Sequence, residues 1–295
     1  MRHQVFAGQF YEEDKEKLKK QIENCFSSNL GAGLEQLKQK TRTQEEIFSI
    51  IVPHAGYIFS GPCASHAYSS LKSSLEKTKE PITFIILGTD HTGKSSSSFS
   101  VSFEDFSTPL GIAKNNLEFS KSLVNNSLVL HDELPHQSEH SIEVQLPFLQ
   151  YYFKNFNIVP VITSTDNYQE LKKFSVKLSE LVKKQKNPTV IIASGDFTHY
   201  GPNYGFIPFP FNRQTQEKLY NLDKDAIDKI LELDSSAFFE KAKKSTICGI
   251  SVITISIEFS KLLGAKKAKL LKYYTSGDIV HDYENSVSYA SFVIE

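Results

Sequence analysis

No stretch of the chain approaches the roughly 18 consecutive apolar residues that a membrane-spanning helix requires, although 40% of its 295 residues are hydrophobic. Charge of one sign is not in excess either. Lysine and arginine number 33 against 34 acidic residues, for a formal net charge of -1, whereas a nucleic-acid-binding chain usually carries a clear basic surplus. Cysteine is scarce: Cys25, Cys63 and Cys248 are odd in number and widely spaced, which argues against a disulfide framework. The opening residues, MRHQVFAGQFYEEDKEKLKK, turn acidic and then basic where a signal peptide would have an apolar stretch. These absences predict a globular, cytoplasmic, reduced protein with neither a nucleic-acid nor a membrane partner. Several motifs are missing as well: the P-loop, the G-x-G-x-x-G fingerprint, the H-E-x-x-H helix and the G-x-S-x-G elbow. The common nucleotide-binding, zincin and α/β-hydrolase readings go with them.

Several short runs rich in Ile and Val stand out: IFSIIV (47–52), ITFIILG (82–88), FNIVPVI (156–162) and TVIIASG (189–195). They are nearly continuous in apolar character, the pattern of strands buried on both faces of a sheet. Between them lie segments of helical spacing: the stretch after Pro62, IEVQLPFLQYYF, YQELKKFSVKLSELVKKQ, and two more near 213–232 and 249–263. Strand alternating with helix predicts an α/β fold with a mostly parallel or mixed sheet flanked by helices. The final run, SVSYASFVI (286–294), alternates more and reads as an edge strand. FIPFPFN (206–212) reads as a proline-interrupted loop, either a pocket wall or lid or a plug over the core. No Pro/Gly/Ser-rich boundary divides residues 1–295, so one domain is expected.

The polar chemistry follows three of these strands. IFSIIV runs into Pro53-His54-Ala55-Gly56-Tyr57, FIILG into Thr89-Asp90-His91-Thr92-Gly93, and VIIASG into Asp196-Phe197-Thr198-His199-Tyr200-Gly201. Ligands of open α/β sheets bind outside the carboxyl ends of the strands, so His54, His91 and His199 are expected to converge there as metal ligands or proton shuttles. Single loop histidines often serve structure alone; the repeated placement is what points to function. Cys248 precedes an apolar helical stretch, and a thiol at a helix N-terminus has a lowered pKa that favours the metal-binding or nucleophilic thiolate. A buried inert thiol is the alternative. Asp196 is placed to orient an imidazole. In Glu139-His140-Ser141-Ile142-Glu143, a helix starting near Ser141 would put Glu143 one turn beyond His140, as a metal or proton-relay pair or simply a charged first turn. Asp90 and His131 are weaker candidates; His3, His66 and His281 read as structural, and Cys25 and Cys63 as packing.

Taken together, these segments resemble the Memo family along almost the whole chain. The resemblance is carried by Ala7-Gly8-Gln9-Phe10-Tyr11, PHAGYIFSG (53–61), LGTDH (87–91), EHSIEVQLPFL (139–149), SGDFTHYG (194–201), TICG (246–249) and SVSYA (286–290). Two departures are Thr89-Asp90, where a small-residue pair more often precedes the histidine, and the apolar residue after Gly249, where a basic one is frequent. The resemblance implies a fold like that of class III extradiol dioxygenases, in which two histidines and a carboxylate hold ferrous iron. Carried over, the metal ligands would be His54, His91 and Cys248. Asp196 and His199 would lie beside them, and His140 would join these two as a third acid/base candidate. A thiolate in place of the carboxylate sets this pocket apart from the ring-cleaving enzymes; the softer ligation suits iron first, then copper or zinc. Many family members are encoded near a radical-SAM protein and an AMMECR1-like domain, which implies partners of those kinds in a shared redox or modification pathway.

Three functional readings compete. The first is a metal-dependent, oxidoreductase-like enzyme acting on a small molecule or peptide, with His199, oriented by Asp196 three residues before it, as acid/base. The second is a non-catalytic module that binds a peptide or small anion in the same pocket. The third is a cysteine nucleophile at Cys248 activated by His54 or His91.

Overall fold

A computed structural model describes residues 1–37, 46–124 and 128–295. Its strands are β1 (Ser49–Val52), β2 (Ile82–Thr89), β3 (Phe99–Val101), β4 (Phe106–Thr108), β5 (Gly111–Asn115), β6 (Val129–His131), β7 (Phe156–Thr163), β8 (Thr189–Ser194), β9 (His199–Tyr200), β10 (Ala268–Thr275) and β11 (Ser286–Ile294). The helices are α1 (Lys15–Ser27), α2 (Tyr57–Leu75), α3 (Leu117–Leu123), α4 (Leu146–Tyr152), α5 (Tyr168–Val182), α6 (Thr215–Leu231), α7 (Ser235–Ala242), α8 (Ile250–Leu263) and α9 (Ser276–Val280).

The sheet runs β10-β11-β1-β8-β2-β7-β3-β6. Its centre, β1-β8-β2-β7, is parallel throughout. The pairings of β11 with β1, β10 with β11 and β3 with β7 are antiparallel, so the sheet is mixed. Successive side chains of a strand point to opposite faces, and each central strand therefore feeds two cores. Ile51, Ile85, Leu87 and Ile191 join residues of α5 and α8 on one face, while Ile50, Val52, Ile86 and Ile192 join residues of α1, α2 and α4 on the other. This two-sided burial is why those strands read as unbroken apolar runs. Among the described residues, no helix is long and apolar enough to cross a membrane.

The expected edge position of residues 286–294 is overturned. β11 lies between β10 and β1, and all nine of its residues are buried. Its serines alternate with apolar residues, yet they too are enclosed: Ser288 Oγ lies 3.2 Å from Tyr273 Oη and Ser286 Oγ accepts from Gly277 N at 3.2 Å. β10 itself, AKLLKYYT, is only partly buried and lacks the continuous apolar signal. The helix expected only after Pro62 begins earlier, at Tyr57. Pro62 removes one backbone donor; the carbonyl so released, four residues back, belongs to exposed Ile58, where water can satisfy it.

Asp278 braces the turn that follows β10. Its carboxylate accepts from the Thr275 backbone N–H at 2.7 Å and from the hydroxyls of Tyr283 at 2.7 Å and Tyr220 at 2.9 Å. Burial opposes its ionisation, but these donors prevail and lower its pKa. A carboxyl with a depressed folded-state pKa adds stability above its unfolded pKa of about 3.9, and that stability fades as pH falls through the folded value. Asp278→Asn is therefore expected to lower the urea midpoint most at neutral pH. The gap to wild type should shrink toward pH 3; a gap that stays constant with pH would refute the assignment.

Candidate metal centre

The topology brings the site together. β1, β8 and β2 are adjacent and parallel, so their carboxyl ends share one rim. His54 follows β1, His91 follows β2, and Asp196 and His199 follow β8. The fourth histidine arrives on the segment between the short 3-10 turn Pro135–Ser138 and α4, which lays His140 over the same rim. The rings of His54 and His91 are 5.0 Å apart between centroids, His54 and His140 5.0 Å, and His91 and His140 4.7 Å. One ring nitrogen from each of the three lies within 4.8 Å of the other two. This is a group that could hold a metal ion.

The hydrogen bonds around the rings assign their tautomers. Glu139 is almost wholly buried, and its Oε1 lies 2.9 Å from His91 Nδ1 and 3.2 Å from His140 Nδ1. A carboxylate only accepts, so His91 donates from Nδ1, while His140 Nδ1 faces the same oxygen at ion-pair distance. At His54 the neighbour of Nδ1 is Ser194 Oγ, at 3.3 Å. That hydroxyl donates its own hydrogen to the Ser141 carbonyl at 2.6 Å, so it must accept from His54, which leaves Nε2 as the unprotonated nitrogen. Gln145 Nε2 also donates to Ser194 Oγ, at 2.8 Å, and fixes this hydroxyl from below.

Electrostatics keep two of the three imidazoles neutral. Burial, reinforced by the neighbouring His91, holds the pKa of His54 down to about 3. Burial, with His54 next to it, does the same for His140, also to about 3. For His91, burial pulls the same way, but the hydrogen bond and charge of Glu139 outweigh it and raise the pKa. Glu139 in turn resists burial through its bond to His91 and is lowered to about 2. It is a permanent anion behind two basic rings, an arrangement typical of the carboxylates that orient metal-binding histidines.

Cys248 Sγ lies 3.2 Å from His54 Nε2 and 3.2 Å from the Asp196 backbone nitrogen, which donates to it. The lowered thiol pKa expected from a helix N-terminus is overturned. Burial first, and then the charge of Asp196, push the Cys248 thiol well up, and these exceed what the start of α8 can supply. The nucleophile reading loses its basis in the metal-free protein. Two glycines allow this approach: a Cβ on Gly195 would fall well inside van der Waals distance of the Gly249 backbone. Gly195→Ala is expected to destabilise the fold by about 1–3 kcal/mol, the usual range for overpacking. A denaturant titration checks this, and an unchanged midpoint would show that the loop gives way freely.

Asp196 does not orient His199, as the sequence spacing suggested. Its Oδ1 accepts from the His54 backbone N–H at 2.8 Å, and Oδ2 lies 4.0 Å from His54 Nε2. His199 is held instead by main-chain carbonyls, its Nδ1 lying 3.0 Å from Phe197 O and 3.1 Å from Thr246 O. Glu143 is no partner of His140 in a metal or proton relay. It is fully buried in an ion pair with Arg2 and accepts from Tyr11 Oη at 2.6 Å. Asp90 shapes the loop that carries His91, accepting from the Thr92 and Ser95 backbones. His131 stacks on Phe103 at 3.9 Å, and His66 bonds Leu30 O at 3.0 Å. Cys25 and Cys63 are buried. The residues not assigned from sequence are Glu139 and Ser194. For Glu139 a signal existed, a carboxylate adjoining His140; for Ser194 there was none.

A cavity of about 530 Å³ opens over the histidines, lined by His54, His91, His140, Asp196 and His199. Its outer wall includes Phe10, Phe59, Tyr204, Tyr289, Asn203 and Asn285, with no lysine or arginine among the described lining residues. The loop 206–212 is not part of this wall; Phe209 stacks on Tyr200 with centroids 5.0 Å apart, while Ile207 and Phe211 are exposed.

Comparison with known proteins supplies the relationship. A family model described as "Memo-like protein" matches residues 2–293. A MEMO1 family protein of Methanopyrus kandleri is 38% identical over 296 residues, covering 99% of this chain and 98% of that protein. One from Methanosarcina mazei is 37% identical over 298 residues, with 100% and 99% covered. One from Saccharolobus solfataricus is 37% identical over 289 residues, with 96% and 95% covered. A crystal structure of an uncharacterized protein from Escherichia coli aligns with 85% of this chain and 100% of its own, at 10% identity and a TM-score of 0.49, a likeness too loose to bear on function. With one family's sequence signature spanning nearly every residue and full-length relatives above one-third identity, this chain belongs to the Memo family.

Proposed function

We propose that the chain binds a transition-metal ion on His54, His91 and His140, iron before copper or zinc, and uses the adjoining cavity for oxidoreductase chemistry on a small organic molecule or peptide. The observation that carries this reading is the meeting of three imidazoles, one ring nitrogen of each within 4.8 Å of the other two. Two of these rings are kept neutral by burial, and three imidazoles converging on one point suit a shared cation. When bound, the metal supplies Lewis acidity and, for iron or copper, one-electron chemistry.

The chain's own residues divide the remaining work. Glu139 and Ser194 hold the rings in their ligating tautomer. His54 and His140, with pKa values near 3, need lose no proton at neutral pH before binding. The Cys248 thiol, beside His54 Nε2, is within reach as a further donor, a metal ion favouring the thiolate that burial disfavours. His199, its Nδ1 committed to two carbonyls, keeps Nε2 to hold or release a proton at the cavity wall. The anion-binding alternative draws less support, because the lining offers an anion no lysine or arginine.

Protein purified without a polyhistidine tag and loaded anaerobically with iron(II) is expected to retain a stoichiometric ion through desalting. Elemental analysis reads the result. Failure to retain iron, copper or zinc would sink the metal reading and return weight to the binding module.

A further inference from the structure

The first eleven residues form a strap across the site, fastened by a buried charge pair that the proposed chemistry does not use. Arg2 and Glu143 are both buried and form an ion pair. The rest of the guanidinium is spent on backbone carbonyls: Nε donates to His136 O at 2.9 Å, Nη2 to Glu139 O at 3.0 Å and Nη1 to His3 O at 3.1 Å. Glu143 accepts in return from the strap, from Val5 N at 3.0 Å, Phe6 N at 2.9 Å and Tyr11 Oη at 2.6 Å. The strap then touches two of the three ligand-bearing loops. The rings of Phe6 and Phe10 lie 5.6 and 4.7 Å from that of His140, and the Phe10 carbonyl accepts from Tyr57 N at 2.8 Å, three residues beyond His54.

We infer that the strap is a positioning device for the metal centre, with Arg2 and Phe10 as its positioning residues. By gripping the main chain at His136 and Glu139, Arg2 fixes the segment whose next residue is His140 and whose carboxylate holds two of the three rings. A buried charge pair is weak grounds for stability, since apolar replacement is often neutral or stabilising, whereas its best-attested use is to fix one arrangement. Here the arrangement fixed is the loop that delivers Glu139 and His140. A planar fork is suited to such a grip because it reaches a carboxylate and separate carbonyls at once, which a lysine ammonium does not. The inference rests on the metal reading for its affinity consequence, but not for its structural one.

Two variants test it. Arg2→Lys keeps a cation opposite Glu143 and removes the fork. Phe10→Leu keeps the whole clasp and removes the ring against His140. Each is expected to weaken zinc(II) binding, measured against a competing chelator, by about 10-fold, the lower end of the effect of outer partners on metal sites. Melting curves of the metal-free proteins should stay near wild type. In parallel, long-range proton–nitrogen spectra of metal-free, histidine-labelled protein should show His140 as a single Nδ1–H tautomer in wild type and as a mixture in the variants. If wild type takes no metal, the proposed function fails and the tautomer spectra alone decide this inference. If Arg2→Lys does not fold, Phe10→Leu decides it. Folded variants with wild-type affinity and wild-type His140 signals would overturn it.

Discussion

Replacing His54 with alanine is expected to weaken metal binding more than about 100-fold, since even the outer partners of metal-binding histidines are worth about 10–100-fold. His54 is the most enclosed of the three imidazoles, at 2% exposure, and its nitrogens are used on both sides, toward Ser194 and toward Cys248. Alanine leaves a cavity where the ring stood and removes one of the two donors to Ser194 Oγ, Gln145 Nε2 remaining. Cys248→Ser is the informative companion. If the three histidines carry the ion, Cys248→Ser costs clearly less affinity than His54→Ala. If His54, His91 and Cys248 are the ligands, the two losses are comparable and His140→Ala is the mild variant. Chelator competition with zinc(II) on tag-free protein ranks all three. Wild-type affinity in His54→Ala would rule out a centre on this rim.

The second large effect belongs to Glu139→Gln. One carboxylate oxygen takes the Nδ1 hydrogen of His91 and lies 3.2 Å from His140 Nδ1, and Oε2 accepts the His91 backbone N–H at 2.9 Å. A glutamine fills the same space without the charge, and its amide donates where either the rings or the His91 backbone N–H need an acceptor. Affinity is expected to fall about 10–100-fold. A second readout is independent of metal. Glu139 is what overcomes burial to raise the pKa of His91, so in the variant that pKa should drop, moving the His91 proton signals to titrate at lower pH. Glutamine with unchanged affinity and an unchanged His91 titration would show that the carboxylate is mere packing.

Much of the fold could be read from the chain because burial on two faces writes itself into sequence. β1, β2, β7 and β8 are continuous apolar runs for the reason that each feeds both cores. β10 escaped notice because its half-exposed residues break that run. β11 was misplaced because small buried serines mimic a solvent-facing side. Neither signal exists without knowing which strands are neighbours.

The site divides along the same line. Which residues could do chemistry was a local matter: three histidines and an aspartate just past strand ends, and a cysteine before a helix. Their protonation and partners were not local. Asp196 went to the His54 backbone instead of to His199, Glu143 to Arg2 instead of to His140, and burial reversed the shift expected for Cys248. Hydrogen-bond geometry and desolvation depend on what the fold packs against each group, and residues separated by most of the chain supply it. The sequence by itself determined the alternation of strand and helix and the identity of the rim residues. Only the tertiary structure decided that His140 stands with His54 and His91, that Glu139 orients two of the rings, and that the first eleven residues hold that segment in place.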